Sequence, residues 1–225
     1  AVLLRHAREA NADIVADNSY LVEDVSFRVL STLFIENAVP WHAPRLITGC
    51  DLVRYDLGWA KPLVRREFLL NQCLVYPENL KYGEDFLFLL RALLFGGRML
   101  LVPIPMYYLR RGNTGSLTTQ RARLFKQVGE STVGMLHLPE IAGHPDVAKA
   151  LRRRCGHIGR LTTVEEFLHC IRSESAIGGM KHFLLRPSLW AALFRRVPEA
   201  VSLRGRRIIQ GRNLPKISPP GPRAN

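Results

Sequence analysis

The chain has 225 residues, of which 47% are hydrophobic, and a formal net charge of +13 at pH 7. These values favour one globular domain with an appended helical region. They exclude a membrane-spanning helix, because a span needs about 18 uncharged residues and the most apolar stretch, residues 86–108, is interrupted by Arg91 and Arg98.

Helices and strands alternate in the pattern of apolar residues up to about residue 120. In chain order the pattern predicts a helix to about Asn11, a buried parallel strand at 13–17, a helix at 45–55, a strand at 61–65, a helix at 83–95, and strands at 98–103 and 106–111. Gly96 and Gly97 provide a stop signal for the helix at 83–95. A flexible loop is predicted at 112–116.

The second half of the chain is predicted to be mainly helical. Helical periodicity continues from Arg121 to about Val197, and the Pro- and Gly-rich end of the sequence predicts disorder. We therefore divide the chain into residues 1–120, a basic helical extension at 121–200 and a disordered tail at 201–225.

Four cysteines are scattered along the chain, at Cys50, Cys73, Cys155 and Cys170. Their spacing contains no C-x-x-C pair, so it suggests neither a zinc site nor a disulfide framework. The pattern predicts reduced core thiols in a cytoplasmic protein.

The most informative feature is the pair Glu84-Asp85, which follows Gly83 at the predicted first turn of an apolar helix. The free N–H groups and the positive dipole end at such a position favour an ionised carboxylate. One interpretation is an ordinary helix cap, which is the commoner use of acidic residues there. The other is an oriented general base that a substrate can reach.

Three linked runs place this pair in a wider context. They are residues 61–69 (Lys-Pro-Leu-Val-Arg-Arg-Glu-Phe-Leu), 76–85 (Tyr-Pro-Glu-Asn-Leu-Lys-Tyr-Gly-Glu-Asp) and 103–110 (Pro-Ile-Pro-Met-Tyr-Tyr-Leu-Arg), followed by Gly-Ser-Leu at 115–117. Taken together, they resemble the second half of a family 2 glycosyltransferase of the bacterial exopolysaccharide, succinoglycan-type branch. The resemblance covers roughly residues 1–120, and several linked motifs are more specific than any one of them.

The resemblance implies an α/β fold in which residues 1–120 are the C-terminal, acceptor-side portion of a GT-A (Rossmann-like) domain. It also implies that Asp85 is the base that deprotonates the acceptor hydroxyl in an inverting reaction, with Glu84 as its neighbour. The family's nucleotide-binding half and its Asp-x-Asp motif would precede residue 1, so we expect a fragment that is inactive alone. The divalent metal of the full enzyme, Mg²⁺ or Mn²⁺, would then have its ligands outside this chain.

The same resemblance suggests the substrate contacts. Tyr82 and Gly83 lie beside the acidic pair, and Arg110 is expected near the donor diphosphate or the acceptor, since a guanidinium pairs with phosphate through two hydrogen bonds. The alternative for Arg110 is a solvated strand end. Trp59 is either a platform for a sugar ring or a packing residue. The implied partners are a nucleotide-sugar donor and a saccharide or lipid-linked saccharide acceptor.

Positive charge is concentrated in the second half of the chain. Residues 1–100 carry 11 Lys and Arg against 12 Asp and Glu, whereas residues 101–225 carry 21 against 7. Such an asymmetry predicts an anionic partner, namely an anionic membrane surface, a lipid-linked pyrophosphate or nucleic acid.

Residues 186–207 are predicted to form an amphipathic helix. An apolar face containing Leu189, Trp190, Leu193, Phe194 and Val197 is followed by Arg204, Arg206 and Arg207. The helix is predicted either to lie on the inner membrane, with the arginines at anionic lipid head groups, or to dock on the protein itself. The alternative to an enzyme is a basic helical module that binds nucleic acid or an anionic membrane surface; we expect no specific nucleic acid binding, because no recognition motif is present.

Overall fold

The computed structural model describes residues 2–78, 80, 82–111, 121–173, 187–211 and 214. The chain forms two compact units. The first contains Ala1–Tyr76, Asp85–Ser116 and Leu203–Asn225, and the second contains Pro77–Glu84 and Leu117–Ser202. The loop predicted at 112–116 and the part of the predicted tail at 215–225 lie outside the described residues.

The first unit is built on one mixed sheet with helices packed around it. Its elements are, in chain order, α1 (Val2–Glu9), β1 (Ile14–Glu23), β2 (Val29–Thr32), α2 (Leu33–Glu36), β3 (Arg45–Ile47), α3 (Gly49–Arg54), a 3-10 turn (Leu57–Trp59), β4 (Leu63–Val64), α4 (Arg66–Asn71), α5 (Glu84–Leu94) and β5 (Met99–Arg111). This arrangement confirms the predicted α/β class.

β1 is the central strand of the sheet. Along one edge it pairs in parallel with β5, from Ile14 opposite Met99 to Glu23 opposite Arg111. Along its other edge, β4 pairs antiparallel with the start of β1 and β2 pairs antiparallel with its end. β3 pairs antiparallel with the first residues of β5. The strand order is therefore β2-β1-β5-β3, with β4 also on β1.

The first halves of β1 and β5 carry buried apolar side chains. Four buried residues form a cluster, Ala12, Val15, Leu100 and Val102. The partly buried side chains of Leu3 and Ala7 in α1, and of Ala10 directly after it, pack against this cluster. α5 is buried at six of its eleven residues, as is typical of a helix that is apolar on nearly all sides. The buried helix and the sheet are the scaffold on which the candidate site is built.

The end of α5 agrees with the stop signal in the sequence. Gly96 has φ +83, a conformation that a side chain disfavours. Gly97 N–H donates to the Ala92 carbonyl at 2.9 Å, and this bond satisfies a carbonyl that the helix leaves free.

The helix predicted at 45–55 is instead two elements, β3 and α3. Thr48 accepts a hydrogen bond from the Asp51 N–H, and the Asp51 side chain accepts from the Thr48 N–H. This capping box starts a helix at Gly49 and leaves residues 45–47 free to pair with β5.

The two strands predicted at 98–103 and 106–111 are one continuous strand, β5. Pro103 and Pro105 carry no N–H for a sheet, which favours a break at this point. The structure accommodates both prolines by shifting the register of β1 against β5 on either side of Asn18. The strand therefore continues through the prolines at the cost of a local irregularity.

The second unit is helical. It contains α6 (Arg121–Met135), α7 (Pro139–Ala142), α8 (Pro145–Ser173) and the first part of α9 (Pro187–Gly211). α6 packs along α8 and buries apolar residues that include Met135, Leu151 and Ile158. In the described part of residues 121–200, all the elements are helices, whereas the extension as a separate domain stays a prediction.

α9 corrects the prediction of a disordered tail that begins at residue 201, because residues 201–211 are helical. Arg206 Nε donates to the Ile35 carbonyl at 3.2 Å, and the Arg207 guanidinium donates to both carboxylate oxygens of Glu36, at 2.8 and 2.6 Å. These bonds hold the last turns of α9 on α2. The role of these two arginines at lipid head groups stays a prediction; in this structure their side chains are bonded within the first unit.

Across the part of the chain that the structure describes, no helix combines the length and apolar character required to traverse a bilayer.

Candidate active site

A cavity of about 590 Å³ lies in the first unit. Strand, helix and loop residues contribute to its wall, which is mostly apolar and contains three charged side chains, Asp17, Lys61 and Asp85. The other lining residues are Leu3, Ala60, Pro62, Leu63, Val64, Leu69, Tyr76, Phe88, Leu89, Met106 and Tyr107. A concave, largely apolar site with a few converging polar groups is the usual form of a small-molecule site.

Asp85, the predicted base, lies at this cavity as the second residue of α5. Lys61 Nζ donates to Asp85 Oδ2 at 2.9 Å, and the two side chains are 39% and 35% exposed. Lys61 follows the buried Ala60, which fixes the segment before β4. The ion pair orients the carboxylate, and the partial exposure leaves it accessible to a ligand.

A close packing contact positions the start of α5. Gly58, in the 3-10 turn, approaches Phe86 so closely that a Cβ on Gly58 would lie 2.7 Å from Phe86 Cβ. Phe86 is 3% exposed and directly follows Asp85. Only glycine allows this approach, so the turn at 57–59 sets the position of the candidate base.

Asp17 is a second carboxyl group at the cavity, and the sequence reading did not single it out. It lies in the middle of β1, is 2% exposed, and its Oδ2 accepts the Met106 N–H at 2.7 Å. Burial raises the pKa of Asp17 above its ordinary value, although N–H donors of Met106, Tyr107 and Asp17 itself act in the opposite direction. The available signal was an acidic residue directly after the apolar run at residues 14–16.

Two partly exposed aromatic rings complete the cavity wall. Tyr76 is 48% exposed and stacks on Phe88 with ring centroids 4.3 Å apart, and Tyr107 is 43% exposed. A ring that is packed on one face and open on the other offers an ordered apolar surface to a ligand. The structure places Tyr107 at the cavity.

Trp59 and Arg110, two predicted substrate contacts, are in the first unit but do not line this cavity. The guanidinium of Arg111 lies 5.2 Å from the centroid of Trp59. Arg110 forms an ion pair with Asp24 at 3.4 Å. The substrate roles of Trp59 and Arg110 remain predictions.

Tyr82, Gly83 and Glu84 belong to the second unit. Gly83 has φ +83, and a Cβ there would lie 3.0 Å from Ser131 Oγ of α6. The fold therefore explains why a glycine stands at residue 83, because a residue without a Cβ allows the loop before α5 to approach α6. The substrate roles of Tyr82 and Gly83, and the role of Glu84 beside the base, stay predictions.

The residues that the structure describes do not fit a Mg²⁺ or Mn²⁺ ion. Nowhere among them do three His, Cys, Asp or Glu side chains gather closely enough to hold a metal. Asp85 already bonds to an ammonium group, and Asp17 accepts a backbone N–H. The divalent cation of the full enzyme, whose ligands are expected outside this chain, stays a prediction.

Comparison with known proteins gives two similar curated proteins and no matching family profile. The succinoglycan biosynthesis protein ExoO of Rhizobium meliloti (strain 1021) is 32% identical over 117 residues, which are 49% of this chain and 34% of ExoO. The succinoglycan biosynthesis protein ExoU of the same organism is 29% identical over 177 residues, 74% of this chain and 50% of ExoU. The matches span between a third and a half of the length of these relatives. The chain is thus similar, over part of its length, to bacterial proteins of succinoglycan biosynthesis.

Proposed function

We propose that this chain is the acceptor side of an inverting glycosyltransferase that extends a saccharide or lipid-linked saccharide during exopolysaccharide synthesis. The observation that carries the proposal is the carboxylate of Asp85, oriented by Lys61 at a cavity of about 590 Å³. The names of the two succinoglycan biosynthesis relatives support the same role. In this proposal the donor is a nucleotide sugar, and the chemistry below concerns the acceptor.

Asp85 is the proton acceptor in the proposed reaction. An ionised carboxylate offers about four lone-pair positions, and Lys61 uses one of them on Oδ2. A sugar hydroxyl that donates to another position transfers its proton to the carboxylate as its oxygen attacks the anomeric carbon of the donor. The new C–O bond forms as the bond from the anomeric carbon to the phosphate oxygen breaks. Its electron pair leaves with the nucleoside diphosphate, and the configuration inverts.

The lining of the cavity suits a sugar that is bound by one face. The rings of Tyr76 and Tyr107 provide apolar contact area, and the carboxyl groups of Asp17 and Asp85 provide hydrogen-bond acceptors. A sugar ring has apolar C–H faces and polar hydroxyl edges, so this combination matches its chemistry. The apolar residues of the remaining wall exclude water from the attacking hydroxyl.

The test is sugar transfer by the protein purified at its natural length. Radiolabelled UDP-glucose and UDP-galactose serve as donors, and a lipid extract of Rhizobium meliloti membranes serves as the acceptor. Transfer is measured as label in the fraction that organic solvent extracts. We expect Asp85→Asn to lower the rate about 10²- to 10⁴-fold, which is the usual contribution of a positioned base, and to leave donor binding near the wild-type value.

Glu67→Gln is the matched control. Glu67 lies in the first turn of α4 in the same unit, is exposed and does not line the cavity. The Glu67→Gln variant loses one carboxylate at a helix start, as Asp85→Asn does, but it should retain sugar-transfer activity. Glu84→Gln should have a milder effect than Asp85→Asn. Transfer by Asp85→Asn at the wild-type rate would contradict the assignment of the base.

A further inference from the structure

The fold explains the charge of Asp17 only in part. Backbone N–H groups of Tyr107 and of Asp17 itself favour its ionised form, and its Oδ2 accepts the Met106 N–H at 2.7 Å. An asparagine side chain carries a carbonyl oxygen that can accept the same N–H without a charge. The neighbouring Asn18 does so in this sheet, because its Oδ1 accepts the Phe34 N–H at 3.1 Å.

The ionised form of Asp17 is also costly. It is 2% exposed, and none of the ion pairs found among the described residues involves it. Lys61, which lines the same cavity, donates to Asp85. A buried carboxylate without an opposite charge destabilises a fold. The backbone N–H donors offset part of that cost, and a further hydrogen-bond donor from a ligand in the cavity would offset more.

A second polar group on the same strand face has no partner. Ser19 lies two residues after Asp17, and side chains two apart in a strand share a face. Ser19 is 1% exposed, and its hydroxyl makes no hydrogen bond within the described part of the chain. Ser19 is thus a second buried polar side chain close to Asp17 in β1, although it does not line the cavity.

We propose that Asp17 is a positioning residue that accepts a hydrogen bond from a second hydroxyl of the acceptor sugar and so aligns the attacking hydroxyl with Asp85. This assignment rests on the proposed glycosyl transfer. It also specifies the substrate class. The cavity presents two acidic groups and one ammonium group, which is already paired with Asp85. An acceptor with a free carboxylate would meet uncompensated negative charge, so the acceptor sugar at this position is neutral.

The binding test uses octyl β-D-glucoside and octyl β-D-glucuronide, which share the ring and the alkyl chain and differ in one carboxylate. Saturation-transfer NMR with the natural-length protein measures both dissociation constants. We expect the wild-type protein to prefer the glucoside. Asp17→Asn should weaken glucoside binding about tenfold, because a hydrogen bond to a charged acceptor is lost. The ratio of the glucuronide dissociation constant to the glucoside dissociation constant should fall in this variant. Glu67→Gln is the control and should leave both constants unchanged.

The transfer assay separates a positioning role from a structural one. Asp17→Asn keeps an acceptor for the Met106 N–H, so the variant should fold and its near-ultraviolet circular dichroism should match the wild type. We expect KM for the acceptor to rise about tenfold and kcat to fall about three- to tenfold, because the attacking hydroxyl is less well aligned, whereas Asp85→Asn should lower kcat about 10²- to 10⁴-fold.

The outcomes distinguish the two proposals. Equal glucoside binding by the wild type and Asp17→Asn, together with loss of transfer in Asp85→Asn, would overturn the role of Asp17 alone. Tight glucoside binding that depends on Asp17, in a wild-type protein that transfers no sugar, would support the binding site and reject the transferase. Preference of the wild type for the glucuronide would overturn the neutral-acceptor assignment.

Discussion

Gly58→Ala is the sharpest test of how the fold positions the candidate base. The added Cβ would lie 2.7 Å from Phe86 Cβ, 2.8 Å from Phe86 Cδ2 and 3.0 Å from Phe86 Cα. Carbon atoms in a protein interior pack about 3.5 to 4.0 Å apart. Two of the three atoms are fixed by the backbone of α5, so a rotamer change of Phe86 cannot relieve the overlap. The start of α5 must move by roughly 1 Å.

The cost follows from the size of this overlap. Overpacking a core costs about 1–3 kcal/mol, and replacing glycine by alanine returns about 0.4–1 kcal/mol through the unfolded state where the backbone is compatible. The net loss is roughly 1–2 kcal/mol, which lowers Tm by about 2–8 °C in a chain of this length. Because Asp85 precedes Phe86 directly, the displaced helix should also lengthen the 2.9 Å bond from Lys61 and lower sugar transfer.

Thermal unfolding monitored by circular dichroism measures the loss of stability, and the transfer assay measures the loss of function. Gly134→Ala is the control. Gly134 lies in α6, and a Cβ there would meet nothing within 4 Å. This variant should be about 0.5–1 kcal/mol more stable than wild type, since glycine is unfavourable inside a helix. A Gly58→Ala variant as stable and as active as wild type would refute the argument.

Three further predictions concern charge and exposed apolar surface. The pKa of Asp17 in the folded protein lies above its ordinary value of 3.8 because the group is buried, so its ionisation destabilises the fold as the pH rises. Asp17→Asn should therefore raise the urea midpoint more at pH 8 than at pH 4. The same difference in midpoint between variant and wild type at both pH values would contradict this prediction. Burial acts to raise the pKa of Glu36, but the Arg207 guanidinium outweighs burial and the pKa is lowered from 4.5. The stability that this ion pair contributes is present above pH 4.5 and is lost as the pH falls through the lowered value. Arg207→Gln should therefore cost roughly 1 kcal/mol at pH 7, after allowance for the half-exposed arginine, and its unfolding curves should converge with those of wild type as the pH is lowered from 7. We propose that α9 contacts anionic membranes through Phe194, which is 74% exposed. In a flotation assay, Phe194→Asp should weaken binding to phosphatidylglycerol vesicles about tenfold, whereas the control Val133→Asp should not. Equal binding by the two variants would count against the proposal.

Local sequence signals predicted much of the first unit. Apolar runs located β1 and α5, and Gly96-Gly97 located the end of α5, because each signal is contained within a few residues. The Thr48–Asp51 capping box was also present in the sequence, yet the helical pattern of residues 45–55 obscured it. The prolines of β5 indicated a break that the register shift in the partner strand removes, and a partner strand is not visible in local sequence.

The candidate site was predictable in part for the same reason. Asp85 stands out because it follows a glycine at a helix start. Lys61 is 24 residues away in sequence and meets it only through the tertiary fold. Asp17 and Tyr107 reach the cavity from two strands that pair in parallel, 90 residues apart in the chain, and no spacing rule connects them.

β5 is a single strand whose first residues are buried and whose later residues are partly exposed. Before Pro103 its residues Met99 to Val102 are at most 4% exposed, whereas Met106, Tyr107 and Tyr108 are 37–44% exposed. Substitutions in the first half alter the core, but substitutions at Met106 and Tyr107 alter the wall of the cavity. In the proposed glycosyltransferase, acceptor preference could therefore change through a few residues after Pro105, while the residues before Pro103 maintain the fold.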